Sequence, residues 1–154
     1  MPPSHPFLRL IAPFLLAALT GCAVSQPPRA VRAQDPQRLT RCASVPACVS
    51  SQADLGTFHH VEPFTYSGGE DRALRALLQA LRDDGEGAVI DSSTQAVHVT
   101  YRTPTGLIDD LTFVFQPAQG VIDVKSASRL GVADFGANRR RVERLRERFD
   151  ALMR

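Results

Sequence analysis

The stretch that decides the fold is DLTFVFQPAQGVIDVKS, residues 110–126. It holds two segments of alternating polarity, 110–116 and 120–126, separated by the turn sequence PAQG with glycine at its end. On an extended strand the apolar side chains of each segment share one face: Leu111, Phe113 and Phe115 on the first segment, and Ile122 and Val124 on the second. Asp123 and Lys125 point the other way. The stretch therefore predicts an antiparallel hairpin with one face against a core and one face solvated.

Further strand and helix signals surround this hairpin. Residues 61–68, 88–91 and 96–102 are typical of strands. A helix is predicted over 70–84, ended by glycines 85 and 87, with four leucines on one face: Leu74, Leu77, Leu78 and Leu81. With a second helix at the C-terminus the order is β-α-β-β-β-β-α. This order predicts an α+β fold: an antiparallel sheet of about four to five strands with two helices packed on one face.

The last helix carries an apolar stripe and a basic face. The predicted stripe is Val142, Leu145, Phe149 and Leu152, and residues 139–154 contain seven arginines. A basic amphipathic helix can bind a membrane surface. Acidic residues alternate with the arginines at helical spacing, which favours a solvated face with intrahelical pairs.

The N-terminus has the pattern of an export signal. One basic residue, Arg9, precedes the apolar run LIAPFLLAALT, which is too short to span a bilayer and fits a secretory signal. The run ends in LTGC, residues 19–22, which resembles the bacterial lipobox, where a diacylglycerol is joined to the cysteine before cleavage. The resemblance implies a signal peptide over 1–21 and a mature protein that begins at lipidated Cys22. An ordinary cleaved signal and an N-terminal anchor helix are the alternatives.

The segment after Cys22 predicts a tether. Residues 22–40 contain three prolines and no apolar periodicity, which is typical of a disordered linker. We expect one domain over residues 41–154.

Two cysteines remain in that domain. Five residues separate Cys42 from Cys48, and an exported protein meets an oxidising compartment, so a Cys42–Cys48 disulfide is predicted. The alternative is a Cys₂His₂ metal site that adds His59 and His60. Its spacing matches no familiar zinc pattern, and no metal is predicted.

Strand register brings polar residues together beyond the open end of the hairpin. If the strands pair symmetrically, opposed residue numbers sum to about 237, which places Ser126 opposite Leu111 and Ser128 opposite Asp109. The connection to the last helix leaves from the same end. We therefore expect a polar corner of nine residues: Asp109, Asp110, Ser126, Ser128, Arg129, Asp134, Asn138, Arg139 and Arg140.

Two interpretations of the corner compete. In the first it is a structural clasp, in which Arg129 pairs with one of the two aspartates and Asp134 or Asn138 caps the helix. In the second, the helix N-terminus and the arginines bind an anion such as a phosphate or a carboxylate. The two adjacent aspartates neutralise much of the positive charge, which favours the clasp.

No catalytic residue is predicted. Ser126, His98 and Asp109 could form a triad in principle, but no G-x-S-x-G sequence surrounds the serine. Phosphate-loop, dinucleotide-binding and H-E-x-x-H motifs are missing from the sequence, so no cofactor is expected. Asp109 and Asp110 are neighbours, so on a strand they point to opposite faces and cannot share acid–base work.

Two longer motifs support a family assignment. CVSSQAD at 48–54 and DDLTFVFQPAQGVIDVKSASRLGVADFGANRRRVERLR at 109–146, with the helix between them, resemble DUF1499, a family of uncharacterised bacterial and plastid proteins. The resemblance covers about residues 41–150. It assigns the family motif to eight positions: Asp109, Asp110, Ser126, Ser128, Arg129, Asp134, Asn138 and Arg139. The chain departs from the family pattern at Ile108, Thr112, Lys125 and Ala133.

The expected function follows from these features together. A net charge of +2 gives no reason to expect a nucleic-acid partner. We expect a lipoprotein of the bacterial envelope that faces the periplasm, in the outer membrane of a diderm cell because alanine rather than aspartate follows Cys22. Its domain is expected to be a non-enzymatic binding or accessory module, with an envelope protein or a small anion as partner. A small-anion-binding protein or enzyme at the corner is one alternative, and a membrane-surface module using the last helix is another.

Overall fold

The hairpin forms the middle of an antiparallel sheet in a computed structural model that describes residues 39–42, 46–131 and 133–154. The elements are β1 (Cys48–Ser50), β2 (Phe64–Thr65), α1 (Glu70–Asp84), β3 (Gly87–Ser92), β4 (Ala96–Arg102), β5 (Ile108–Gln116), β6 (Val121–Ser128) and α2 (Ala137–Met153). Strands β5 and β6 are joined by a 3-10 turn over Pro117–Gln119. The predicted α+β fold is confirmed.

The predicted register of the hairpin is confirmed residue by residue. Ser126 pairs with Leu111 and Ser128 with Asp109. The backbone N–H of Arg129 continues the ladder by donating to the Ile108 carbonyl at 3.0 Å. The register places Asp109, Leu111 and every second residue after them on the same side of the sheet as the core.

The sheet has more strands than predicted. Its order is β1-β6-β5-β4-β3, and β2 also pairs with β6, which gives six strands instead of four or five. The additional strand β1 is only three residues long and all three are buried, so it lacks the alternation that marks a half-exposed strand. The strand predicted at 61–68 is reduced to Phe64 and Thr65.

Both helices pack on one face of the sheet. The buried face of α1 consists of Ala73, Ala76, Leu77, Ala80 and Leu81. Leu74 and Leu78, predicted on that face, are only partly buried, because the helix turns its small alanines toward the core. At the centre, the Phe64 ring lies 5.5 Å from the ring of Phe113 and 5.4 Å from that of Phe149, centroid to centroid.

Helix α2 buries a stripe that is shifted from the predicted one. Val142, Leu145 and Phe149 are fully buried, but Leu152 is 40% exposed. At the other end, the stripe continues through Asn138 and Arg141, both of which are buried. The buried face of α2 is therefore polar in its first turns and apolar afterwards.

The other face of the sheet is partly covered by the start of the described chain. Leu39 packs against Ala96 and Val114, and Lys125 Nζ donates to Thr40 Oγ1 at 2.6 Å. Burial lowers the pKa of this lysine. Residues 39 and 40, the last two of the predicted tether, thus contact the sheet.

A disulfide joins Cys42 to Cys48 as predicted, with their Cα atoms 5.7 Å apart. A loop this short stabilises the fold by about 2 kcal/mol in the chain-entropy model. Within the described part of the chain, no helix is long and apolar enough to cross a bilayer. The predicted signal peptide (1–21), the lipidated Cys22 and the tether up to residue 38 lie outside the described residues.

Candidate functional site: the polar corner

Three strands and one helix position the corner. On the core side of the sheet, Tyr101 of β4 pairs with Asp109 of β5, which pairs with Ser128 of β6. Asn138 and Arg141 point at this row from α2, since residues three apart on a helix share a face. The corner is therefore a polar continuation of the core.

Arg141 lies at the centre of the corner. Its Nη2 donates to Asp109 Oδ2 at 2.9 Å, and its Nη1 donates to Asn138 Oδ1 at 2.8 Å and to Ser126 Oγ at 3.4 Å. The guanidinium also lies over the Tyr101 ring, 4.3 Å from its centroid. Arg141 is 7% exposed and Asp109 is 2% exposed, so this is a buried ion pair with supporting hydrogen bonds.

Asn138 ties three elements together. Its Oδ1 accepts from Ser126 Oγ at 2.5 Å, and its Nδ2 donates to Asp134 Oδ2 at 2.7 Å and to the Ala47 carbonyl at 3.4 Å. Through this side chain, α2 is fixed to β6 and to the residue that precedes β1.

Asp134, two residues before the N-cap Gly136, accepts backbone N–H groups at the start of α2, which agrees with one of the two predicted capping options. Its carboxylate accepts the backbone N–H of Gly136 at 2.9 Å and that of Asn138 at 2.8 Å. Burial alone raises the pKa of the Asp134 carboxyl, but these N–H groups and the Asn138 amide stabilise the carboxylate and bring its pKa below the ordinary value. The other option, Asn138, lies inside the first turn and points to the sheet.

Arg129 and Asp110 form a separate pair on the opposite face. Arg129 donates from Nε and Nη2 to the two carboxylate oxygens of Asp110, each at 2.8 Å. The sheet thus separates Asp109 from Asp110, and Arg129 does not reach the corner.

Arg139 and Arg140 also leave the corner. Arg139 Nη2 donates to the carbonyls of Phe58 and His60 at 2.5 and 2.7 Å, and Arg140 Nη1 donates to the Phe135 carbonyl at 2.8 Å. Of the nine residues expected to converge, five do so: Asp109, Ser126, Ser128, Asp134 and Asn138. The expectation was wrong for Asp110, Arg129, Arg139 and Arg140, because one strand residue and three arginines point away from the α2–sheet interface.

Ser128 is the exception within the corner. Its Oγ is buried next to Asp109 and has no hydrogen-bond partner among the residues described by the structure.

Arg141 is absent from the predicted corner, because its arginine-rich surroundings in the sequence group it with the solvated basic face of α2. The signal was its helical phase: Arg141 lies three residues after Asn138 and four before Leu145, on the buried side of α2.

A second cluster, which the sequence does not predict, extends the corner to α1. Tyr101 Oη donates to Asp84 Oδ2 at 3.1 Å, Arg144 Nε donates to Asp84 Oδ1 at 2.7 Å, and Arg148 Nη1 donates to the same oxygen. The Tyr101 ring fits here because Gly87 has no side chain: a Cβ at that position would lie 2.7 Å from the ring. Burial, the charge of Asp84 and their hydrogen bond raise the pKa of Tyr101.

The basic face of α2 differs from the predicted solvated face. Within the described chain, the one ion pair inside α2 joins Glu143 to Arg146 at 2.9 Å. Arg144 and Arg148 instead reach Asp84 on α1. Arg146 donates to the Glu62 and Pro63 carbonyls and lies 4.5 Å from the Phe64 ring centroid. The arginines mainly attach α2 to its neighbours.

The arrangement does not support a catalytic triad or a metal site. His98 bonds to Thr112 Oγ1 at 3.2 Å on the face opposite Ser126, so the two cannot meet. His59 Nδ1 lies 2.8 Å from the Cys48 carbonyl oxygen, and the Cys48 sulfur is in the disulfide, which excludes the Cys₂His₂ alternative. No cluster of metal-ligating side chains occurs within the described ranges.

Most of the chain, including the whole corner, matches a known family. A family model described as "Protein of unknown function (DUF1499)" covers residues 38–149. No curated protein matches the chain.

Proposed function

We propose a role from the chain's own residues, because the chain belongs to DUF1499, a family of unknown function. In this proposal it is a bacterial envelope lipoprotein whose domain is a non-enzymatic binding or accessory module. The observation that supports a non-enzymatic domain is that the polar groups of the corner are bonded to one another. Arg141 is occupied by Asp109, Asn138 and Ser126, and Asp134 is occupied by the helix N-terminus. Groups that already satisfy one another form a clasp between sheet and helix.

Two features support a location in the bacterial envelope. The sequence LTGC at 19–22 resembles a lipobox, and the Cys42–Cys48 disulfide suits an oxidising compartment outside the cytoplasm. In this proposal the domain faces the periplasm, with alanine after Cys22 favouring the outer membrane of a diderm cell.

Metabolic labelling tests the anchor. When the full-length chain is expressed in bacteria fed an alkyne analogue of palmitate, the wild type is expected to take up the label, and Cys22→Ser is expected to lose it. The matched control is the Cys42→Ser/Cys48→Ser double variant, which keeps the lipobox and therefore its label. Label retained in Cys22→Ser would contradict the proposal.

One observation favours the small-anion alternative, namely the unpartnered Ser128 hydroxyl. A bound anion would accept a hydrogen bond from Oγ, and the wild type would then be stabilised by that anion while Ser128→Ala would not.

We expect the opposite result. Without a ligand, Ser128→Ala removes a buried hydroxyl that has no partner in the described chain, so the free energy of unfolding stays unchanged or rises by up to about 1 kcal/mol. The matched control Ser126→Ala removes hydroxyl contacts with Asn138 and Arg141 and is expected to lower it by about 1 kcal/mol. Thermal unfolding in phosphate, sulfate and citrate measures both. An anion that raises the unfolding midpoint of the wild type but not that of Ser128→Ala would establish the small-anion alternative.

A further inference from the structure

Two loops beside the N-terminus of α2 expose large apolar side chains. Four such residues are between 60% and 90% exposed and make up what we call the apolar patch: Leu55, Phe58, Leu130 and Phe135. Side chains of this size are ordinarily buried, and a group of them marks an interaction surface.

The first turn of α2 holds the two loops together. Arg139 donates to the Phe58 carbonyl and lies 5.7 Å from the Phe58 ring centroid. Its neighbour Arg140 donates to the Phe135 carbonyl. Phe58 and Phe135 are therefore both attached to the first turn of α2.

Phe135 has no explanation within the domain itself. It is 90% exposed, so it contributes no packing, and its φ of 50° is in the left-handed region that disfavours a bulky side chain. Glycine or asparagine would adopt this turn at lower cost. Packing within the described domain therefore does not explain an aromatic side chain at this position.

Two cations, Arg139 and Arg140, flank the patch, and the nearby Asp134 carboxylate accepts the backbone N–H groups of Gly136 and Asn138. Arg139 and Arg140 bond to carbonyl groups, and neither forms an ion pair with a carboxylate in the described part of the chain. The two other arginines nearby are neutralised, Arg41 by Asp54 and Arg129 by Asp110. Apolar side chains flanked by cationic charge match the boundary between lipid chains and anionic headgroups.

We propose that the apolar patch docks the domain onto the anionic surface of the membrane that holds its lipid anchor. This inference rests on the proposed lipidation of Cys22. Seventeen residues, 22–38, separate the lipid from the first described residue and reach at most about 60 Å, so the patch stays within reach of the bilayer. A short flexible tether gives effective concentrations on the order of millimolar, so weak contacts between the patch and the membrane surface are favoured.

The chain offers a clean probe, because it contains no tryptophan. In Phe135→Trp the full-length, lipidated protein has one indole, placed in the patch. It is reconstituted in phosphatidylethanolamine–phosphatidylglycerol vesicles with brominated acyl chains. The control is Ile90→Trp, at a side chain 64% exposed on β3, the sheet edge opposite β1.

The expected result is that the indole emission of Phe135→Trp shifts to shorter wavelength and is mostly quenched by the brominated lipid, whereas the emission of Ile90→Trp is not. Adding Phe58→Ser and Leu130→Ser to the Phe135→Trp variant is expected to remove most of that quenching while the thermal midpoint stays unchanged, because both residues are exposed. Replacing phosphatidylglycerol by phosphatidylcholine is expected to weaken the quenching.

The possible outcomes distinguish a failure of the proposed lipid anchor from a failure of the proposed docking. Mass spectrometry of the intact protein shows directly whether Cys22 is lipidated. An unmodified Cys22 would overturn the proposed anchor and this inference with it. A lipidated protein that floats with the vesicles, while the indoles at positions 135 and 90 behave alike, would overturn the docking alone. Cross-links from position 135 to an envelope protein, with no quenching by lipid, would assign the patch to a protein partner and also overturn it.

Discussion

Arg141→Leu is expected to destabilise the domain by about 3–5 kcal/mol, because it leaves the Asp109 carboxylate buried without its partner. Leucine keeps apolar volume beneath the Tyr101 ring, so the loss comes mainly from the uncompensated charge. Asn138 and Ser126 lose their donor in the same change. Urea unfolding followed by far-ultraviolet circular dichroism measures the difference.

A double-mutant cycle identifies the cause. Adding Asp109→Asn removes the buried charge and is expected to recover a large part of the loss, whereas Arg141→Lys keeps the charge but not the paired N–H donors and is expected to remain destabilised. The matched control is Arg140→Leu, an exposed arginine one position away, expected to cost less than about 1 kcal/mol. Equal losses at positions 140 and 141 would refute the buried clasp.

Asp84→Asn is expected to cost about 2–3 kcal/mol at neutral pH, because one carboxylate accepts from Tyr101, Arg144 and Arg148 and joins α1 to the sheet and to α2. Burial alone raises the pKa of the Asp84 carboxyl, but the hydrogen bond and charge of Arg144, together with the bonds from Tyr101 and Arg148, lower it overall.

The sign of the pH effect follows from that lowered pKa. A carboxyl whose folded pKa is below its unfolded value stabilises the protein above about pH 4 and loses this contribution as the pH falls through that value toward the folded pKa. The unfolding free energy of the wild type is therefore expected to fall below about pH 4 more steeply than that of Asp84→Asn. Asp134 contributes a residual slope of the same sign in both proteins. Asp83→Asn, at the neighbouring position, is the control, and parallel pH profiles for Asp84→Asn and the wild type would contradict the assignment.

The hairpin could be predicted in detail, since alternation and a short turn together determine both faces and register. The pairs Leu111–Ser126 and Asp109–Ser128 came from the numbering alone. The three-residue strand β1 could not be predicted in this way, because every one of its side chains is buried and it shows no period.

The corner was predicted in position but not in composition. Ser126, Asp109 and Asn138 were placed by register and by the helix start. The residue that links them, Arg141, carries the same charge as six other arginines near it and differs only in helical phase. Arg139 and Arg146 reach carbonyls of residues 58–63, a long-range approach of two chain segments for which local sequence gives no signal.

The disulfide also determines where mechanical load enters the domain. If the proposed lipid anchor holds the N-terminus, drag on the domain pulls along the chain through Leu39 and Thr40 to Cys42. The bond to Cys48 transmits that pull directly into β1 and its ladder with β6, bypassing the backbone of residues 43–47. The load would thus enter at the edge strand β1, which its ladder with β6 and the hydrogen bond from Asn138 to the Ala47 carbonyl connect to the rest of the domain.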